Sequence, residues 1–284
     1  MFPLLYALQF CRSDRTQAMG LARLIADLQP EPTEELGFMF CPKADTNVDL
    51  AVAEYVCQKF PYTCIYHCST QLQGWPRGPN AQVHEIYQKF YSLTHTRREE
   101  FGYCAILLGE PDCVPLTQDW FLKLQWEWHN CDWDWPGGNR QQVLGCWLTG
   151  DDSTCGSPHI NGNCMLGPSF GDVYSAFKGG THHGAWDTTH SQAMMRFGRP
   201  SKFIYSAYRL DSPETPIPDC ADLWKPRMMH GSNPLANVPL STVYLHGCKS
   251  MKAQQCVREK FGLGEPPPPP PRERIVPVPI IKRT

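Results

Sequence analysis

The chain has 284 residues, 42% hydrophobic and 19% charged, with a formal net charge of −2. That length and apolar content support one large domain or two small ones with a real core. No apolar run approaches about 18 residues, which argues against a membrane-spanning helix, and the near-neutral charge excludes a nucleic-acid-binding polycation over the whole chain.

Leu4–Phe10 is a short apolar run with no basic segment before it, so it reads as a first strand and not as a signal peptide. Asp14 can cap a helix in which Met19, Ala22, Ile25 and Ala26 recur at helical spacing. Leu36–Phe40 is a second strand. Asn47-Val48-Asp49 opens a second helix running to Phe60, and Tyr62–Tyr66 is a third strand. Val83–Leu93 is a third helix. The run Cys104-Ala105-Ile106-Leu107-Leu108, flanked by Gly102 and Gly109, reads as a buried strand. This alternation predicts a parallel sheet covered by helices with right-handed crossovers.

Thr117–Glu127 reads as a helix with Trp120, Leu124 and Trp128 on one face. Trp126, Trp133 and Trp135 crowd the same neighbourhood and are expected in a packed aromatic core, with a stacking platform as the other reading. Gln142–Leu148 is a further strand, Thr188–Phe197 a helical stretch, and Ser241–Leu245 a last strand. After Asp151 the chain is rich in Gly, Asn, His and Ser, as functional loops often are. Glu265 is followed by six prolines and a basic end carrying Arg272, Arg274, Lys282 and Arg283. A folded domain over residues 1–264 with an extended proline-rich tail over 265–284 is therefore expected. The fourteen cysteines include several in apolar strand-like segments (Cys41, Cys64, Cys104, Cys146), where a thiol acts as a small hydrophobe. With no targeting signal recognised, a reducing, cytoplasmic compartment is expected.

The segment with most chemistry is Glu110-Pro111-Asp112, directly after the buried strand. If strand geometry continues, both carboxylates point the same way. They stand at a strand's carboxyl end, where open α/β sheets bind ligands. Hard oxygen donors there suit Mg²⁺ or Mn²⁺ holding a diphosphate. The alternative is a turn in which Glu110 only caps and Asp112 alone matters. Gln73-Gly74-Trp75-Pro76-Arg77-Gly78-Pro79-Asn80 offers glycines for close backbone approach and Asn80 as a helix cap; an ordinary turn has the same composition. His159-Ile160-Asn161-Gly162-Asn163 presents imidazole and amides suited to sugar hydroxyls, or a plain turn. Asp187, after Ala185-Trp186, is either a carboxylate stabilised at a helix start or a general base for an acceptor hydroxyl. In Leu245-His246-Gly247-Cys248-Lys249, His246 can complete a metal site begun by Asp112, and Lys249 can neutralise a diphosphate as a point charge. His182, His183 and His230 are weaker candidates.

The order CRSD, GWPRGPN, ILLGEPDCVPLTQDW, HINGN and HGCKS, from about Leu4 to Lys252, resembles glycosyltransferases of the GT-A fold. More narrowly it resembles the bacteriophage branch associated with glycosylating hydroxymethylated DNA bases. The resemblance implies a Rossmann-type mixed sheet flanked by helices, Mn²⁺ or Mg²⁺, and a nucleotide-sugar donor, a UDP-sugar first. By this match Glu110 and Asp112 stand for the family's DxD-type motif, with Glu replacing the first Asp, and His246 joins them as a metal ligand. Arg12, Asp14, Trp75, Asn80, Glu110, His159, Asn161, Asn163 and Lys249 would surround the donor, while Asp187 and Lys249 would act in catalysis. The acceptor it implies is a 5-hydroxymethyl pyrimidine in phage DNA, modified in the host cytoplasm without a membrane partner. A glycan, lipid or protein acceptor, a non-catalytic sugar-nucleotide or DNA-binding module, and a nucleotidyltransferase are the rivals. DNA would call for a basic strip such as Arg97, Arg98, Lys123 and the tail.

Overall fold

The computed structural model describes residues 3–96, 103–131, 142–148, 158–170, 184–213, 216, 219–224 and 238–263. Trp133, Trp135, Arg97, Arg98, the His182/His183 pair, His230 and the tail over 265–284 lie outside the described residues.

The first half alternates as its hydrophobic pattern requires: β1 (Leu4–Phe10), α1 (Arg15–Asp27), β2 (Leu36–Pro42), α2 (Leu50–Lys59), β3 (Thr63–Ile65), α3 (Arg77–Thr96) and β4 (Ala105–Gly109). Then come β5 (Val114–Pro115), α4 (Trp120–Asn130), β6 (Val143–Gly145), β7 (Trp147–Leu148), β8 (His159–Ile160) and β9 (Met165–Leu166). Two short helices, α5 (Trp186–Thr189) and α6 (Ser191–Arg196), lead to β10 (Gly198–Pro200), β11 (Ile204–Leu210), β12 (Tyr244–Cys248) and α7 (Met251–Lys260).

The main sheet has seven strands in the order β10-β6-β9-β4-β1-β2-β3. The pairs β4–β1, β1–β2 and β2–β3 are parallel, whereas β9 runs antiparallel to both β4 and β6. The sheet is therefore mixed. A second sheet, β11-β12-β5, stands against it. Both faces of the main sheet are covered, which is why its strands read as continuous apolar runs. Leu4, Tyr6, Leu8 and Phe10 pack in the cluster that includes Leu21, Ile25, Val52 and Trp120. Leu5 and Ala7 pack in the cluster that includes Val83, Ile86 and Phe90 of α3.

Several boundaries differ from the sequence reading. Helix α3 starts at Arg77 and not Val83, because Pro79 is tolerated in a first turn and Gly78 N–H donates back to Gly74 O (2.8 Å). Asn80 therefore lies inside the helix and does not cap it. The Gln142–Leu148 strand is broken at Cys146 into β6 and β7, which belong to different sheets. The last strand is shifted to Tyr244–Cys248, so His246 is a strand residue. Trp120 and Trp128 are buried, with Trp120 stacked on Tyr244 at 5.4 Å, but Trp126 is 57% exposed and outside the expected aromatic core. Cys220 and Cys256 form a disulfide; the other described cysteines are free thiols.

Candidate metal centre and cleft

Strands β1 and β4 run parallel in a register that places Leu8 beside Gly109, so β4 ends two residues before β1, whose Gln9 and Phe10 run on past it. A side chain at Gly109 is excluded, since a Cβ there would lie 2.2 Å from Tyr6 Oη. Beyond Gly109 the strand geometry stops. Cys113 N–H donates to Glu110 O (3.1 Å), closing a tight turn over Pro111 and Asp112. The two carboxylates thus converge through a turn, and not through the strand alternation expected from sequence.

Strand β5 then pairs antiparallel with β12, placing Val114 beside Leu245. The carbonyl of Asp112 accepts from Gly247 N–H (3.2 Å) and Cys248 N–H (2.9 Å). This docks the acidic turn directly on the strand that carries His246. Gly247 has φ +111°, and a Cβ there would meet Ala207 O at 2.2 Å, so the position demands glycine. Gln254 of α7 donates to the carbonyls of Pro111 and Cys113, holding the turn from behind.

His246 Nε2 lies 3.5 Å from Glu110 Oε2 and 3.3 Å from Asp112 Oδ2, while Nδ1 is hydrogen-bonded to Ser206 Oγ at 2.8 Å. Lys249 Nζ forms an ion pair with the same Asp112 oxygen. Glu110 is held by Gln9 Nε2 (3.1 Å) and by Asn163, whose Oδ1 accepts Glu110 N–H at 3.0 Å and whose Nδ2 faces Oε2 at 3.4 Å. Burial alone would raise the Asp112 pKa, but His246 and Lys249 overcome it and hold the carboxyl well below its usual range. Burial likewise would lower the His246 pKa; Asp112 and Glu110 reverse this and push it up to about 9.

These residues fit a divalent cation. Donor atoms of Glu110, Asp112 and His246 lie within 4.8 Å of one another. Adjacent ligands of a cation bound at about 2.1–2.4 Å stand roughly 3.0–3.4 Å apart, close to the two separations around His246. Asp112 Oδ1 and His246 Nε2 have no hydrogen-bond partner among the described residues. A nitrogen facing two carboxylates must carry either a proton or a metal ion. The mixed oxygen–imidazole set suits Mn²⁺ as well as softer ions more than Mg²⁺.

The centre opens into a cleft of about 420 Å³. Its walls come from the end of β1 and the turn after it (Gln9, Phe10, Cys11, Ser13 and Asp14), Lys43 after β2, the Gln73–Trp75 loop, Pro79 and Gln82 of α3, the acidic turn and Lys249. Asp14 lines it, half-buried, with Oδ1 accepting Cys11 N–H at 2.7 Å; burial raises its pKa. Arg12 is exposed on the same turn, and Trp75 stands at the rim, 73% exposed.

The remaining expected residues form a second group. Asp187 accepts Gly162 N–H through Oδ2 (2.8 Å) and Thr188 N–H through Oδ1 (2.9 Å). His159 Nε2 lies 3.9 Å from Asp187 Oδ2. Burial raises the Asp187 pKa, partly offset by His159 and Gly162. Asn80 reaches this group from α3, accepting Trp186 N–H (2.9 Å) and donating to Gly184 O (3.0 Å). The groups are joined by the 161–163 turn, where Asn161 Oδ1 accepts Asn163 N–H (3.1 Å) and Asn163 holds Glu110. None of Asn80, His159, Asn161, Asn163 and Asp187 lines the cleft itself. Gln9, Lys43, Ser206 and Gln254 escaped the sequence reading. Gln9 had a signal, as the one polar residue in LLYALQF; Ser206 and Gln254 had none, since only the β11–β12 pairing and the docking of α7 bring them in.

No protein-family model and no curated protein matches the chain. Among solved structures it is similar to the bifunctional glycosyltransferase WbbM (8% identity, TM-score 0.49, 92% of this chain and 50% of that one). It is also similar to an active-site mutant of LgtC (9%, 0.47, 91% and 95%). A third is the mannosyltransferase PcManGT from Pyrobaculum calidifontis in complex with GDP-Man and Mn²⁺ (12%, 0.42, 70% and 54%). The chain spans about half the length of the WbbM and PcManGT structures. Fold and site together define a mixed α/β protein with an acid–histidine centre beside a cleft at the carboxyl end of its parallel strands.

Proposed function

We propose that this chain is a metal-dependent glycosyltransferase of GT-A type that moves a sugar from a nucleotide-sugar donor, a UDP-sugar first, to a hydroxyl acceptor. The observation that carries this reading is the convergence of Glu110, Asp112 and Lys249 in the wall of a cleft large enough for a nucleotide, with His246 against the two carboxylates from behind. Glu110, Asp112 and His246 would hold a divalent cation, which would supply Lewis-acid stabilisation of a diphosphate leaving group. Lys249 adds a positive charge on the same side, where negative charge grows as the sugar–phosphate bond breaks. Arg12, Asp14 and Trp75 belong to the donor's nucleotide end. Asp187 takes the acceptor proton as the new glycosidic bond forms, which gives inversion at the sugar carbon. Burial raises its pKa, which makes the carboxylate a stronger base. His159, Asn161, Asn163 and Asn80 position Asp187 and Glu110.

The acceptor that the sequence motifs support is a 5-hydroxymethyl pyrimidine in phage DNA, modified in the host cytoplasm. No helix among the described residues is long and apolar enough to cross a membrane. The test is release of nucleoside diphosphate from a panel of sugar nucleotides with Mn²⁺, using hydroxymethylated DNA, plain DNA and glycans as acceptors. Release stimulated by the modified base is expected. Stimulation by a glycan alone moves the acceptor class, and a folded protein that turns over no donor refutes the enzyme.

A further inference from the structure

The two faces of β1 differ at the strand's carboxyl end. Leu5 and Ala7 pack against α3, and Gln9 is next in that row. Gln9 is only 6% exposed, yet it forms part of the cleft wall. Its Nε2 donates to Glu110 Oε1 at 3.1 Å. A carboxylate only accepts, so this contact fixes which way the amide faces. Oε1 is then left buried with no hydrogen-bond partner among the described residues. An unsatisfied buried carbonyl costs about 1–3 kcal/mol, and a leucine or methionine would complete the row without that cost. The carboxylates of Glu110 and Asp14 line the same cleft. Gln9 Oε1 thus offers an unused acceptor in this stretch of wall, which suits a group that brings a hydrogen, above all a sugar hydroxyl.

We propose that Gln9 is a specificity-determining residue whose Oε1 accepts a hydrogen bond from a sugar hydroxyl of the bound donor while its Nε2 holds Glu110. This rests on the nucleotide-sugar reading of the cleft. The hydroxyl comes either from the nucleotide's ribose or from the transferred sugar, and the two are separable.

Calorimetric titration of the full chain with Mn²⁺ provides the test. The probes are uridine and guanosine diphosphates, their 2′- and 3′-deoxy analogues, and the matching nucleotide sugars with their monodeoxy-sugar analogues. Wild type is expected to bind one deoxy probe about five- to tenfold more weakly than its parent. Gln9→Met, which keeps length and removes both polar atoms, loses the Glu110 contact and weakens every probe, and in addition abolishes the difference between parent and deoxy probe. The position of the sensitive hydroxyl identifies ribose or transferred sugar. A wild type with no deoxy penalty overturns the proposal. So does a preference that survives Gln9→Met, or an equal loss for every probe, which would leave Gln9 only a support for Glu110. A folded wild type that binds none of the nucleotides refutes the nucleotide-sugar reading and the role of Gln9 with it; binding without hydroxyl preference refutes Gln9 alone.

Discussion

Asp112→Asn exchanges a carboxylate for an amide of the same shape at the point where His246 and Lys249 meet. The carboxylate is 5% exposed and its Oδ2 lies 3.3 Å from His246 Nε2. At that separation, with an effective dielectric of about 20, the attraction to a protonated His246 is roughly 5 kcal/mol. Most of it offsets the cost of taking both charges out of water. The Lys249 side chain is 34% exposed, so solvent screens its share. The net cost to metal-free stability is then about 1–3 kcal/mol. The effect on chemistry is larger. Asp112 is one of three groups that could hold a cation and the only carboxylate in an ion pair with Lys249 among the described residues. Loss of such an electrostatic element lowers turnover by about 10²–10³. Nucleoside diphosphate release measured across a Mn²⁺ series, beside calorimetric Mn²⁺ titration and thermal unfolding, separates the two effects. A folded Asp112→Asn protein with wild-type Mn²⁺ affinity and turnover would show that the cation does not bind at this turn.

The His246 pKa, pushed up to about 9, sets a pH dependence. A metal ion needs the neutral imidazole, so Mn²⁺ affinity should rise about tenfold per pH unit to near pH 9 and level off above it; a flat calorimetric profile from pH 6.5 to 8.5 excludes His246 as a ligand. In chelator the sign reverses. The folded-state pKa lies above the ordinary value, so the stability from protonated His246 is complete below about pH 6.5 and is lost as pH rises through 9, visible as a falling melting temperature. Asp187→Asn should lower kcat by about 10²–10⁴ with donor KM unchanged if Asp187 is the base; an unchanged kcat with a lower melting temperature would make it a clamp on the 161–163 turn. Gly247→Ala forces a side chain into φ +111° and onto Ala207 O at 2.2 Å. It should cost more than about 2 kcal/mol in denaturant unfolding, and an unchanged midpoint contradicts the β11–β12 packing described above.

The alternation of apolar runs and helical periodicity from Leu4 to Gly109 was legible because each element buries its own pattern: period 3.6 in α1, near-continuous apolar runs in strands covered on both faces. The alternation also predicted that these strands run parallel, as they do in β4–β1–β2–β3, while their order came from the tertiary structure. The antiparallel entry of β9 was invisible to local pattern, since Met165–Leu166 is two residues long and owes its place to partners on both sides.

The site divides in the same way. The sequence alone offered Glu110, Asp112, His246 and Lys249 as candidates for a metal and diphosphate set, because charged and imidazole groups beside buried apolar strands are costly and seldom accidental. Tertiary structure decided everything that depends on distance between remote residues. It brought Asp112 against β12 through the backbone of Gly247 and Cys248, set Asp187 and His159 apart from the cleft wall, and turned Asn80 from a cap into a tether for Gly184 and Trp186. Residue type is a local property that a sequence states outright. Convergence of groups more than a hundred positions apart is set by strand register and helix docking, which no local window contains.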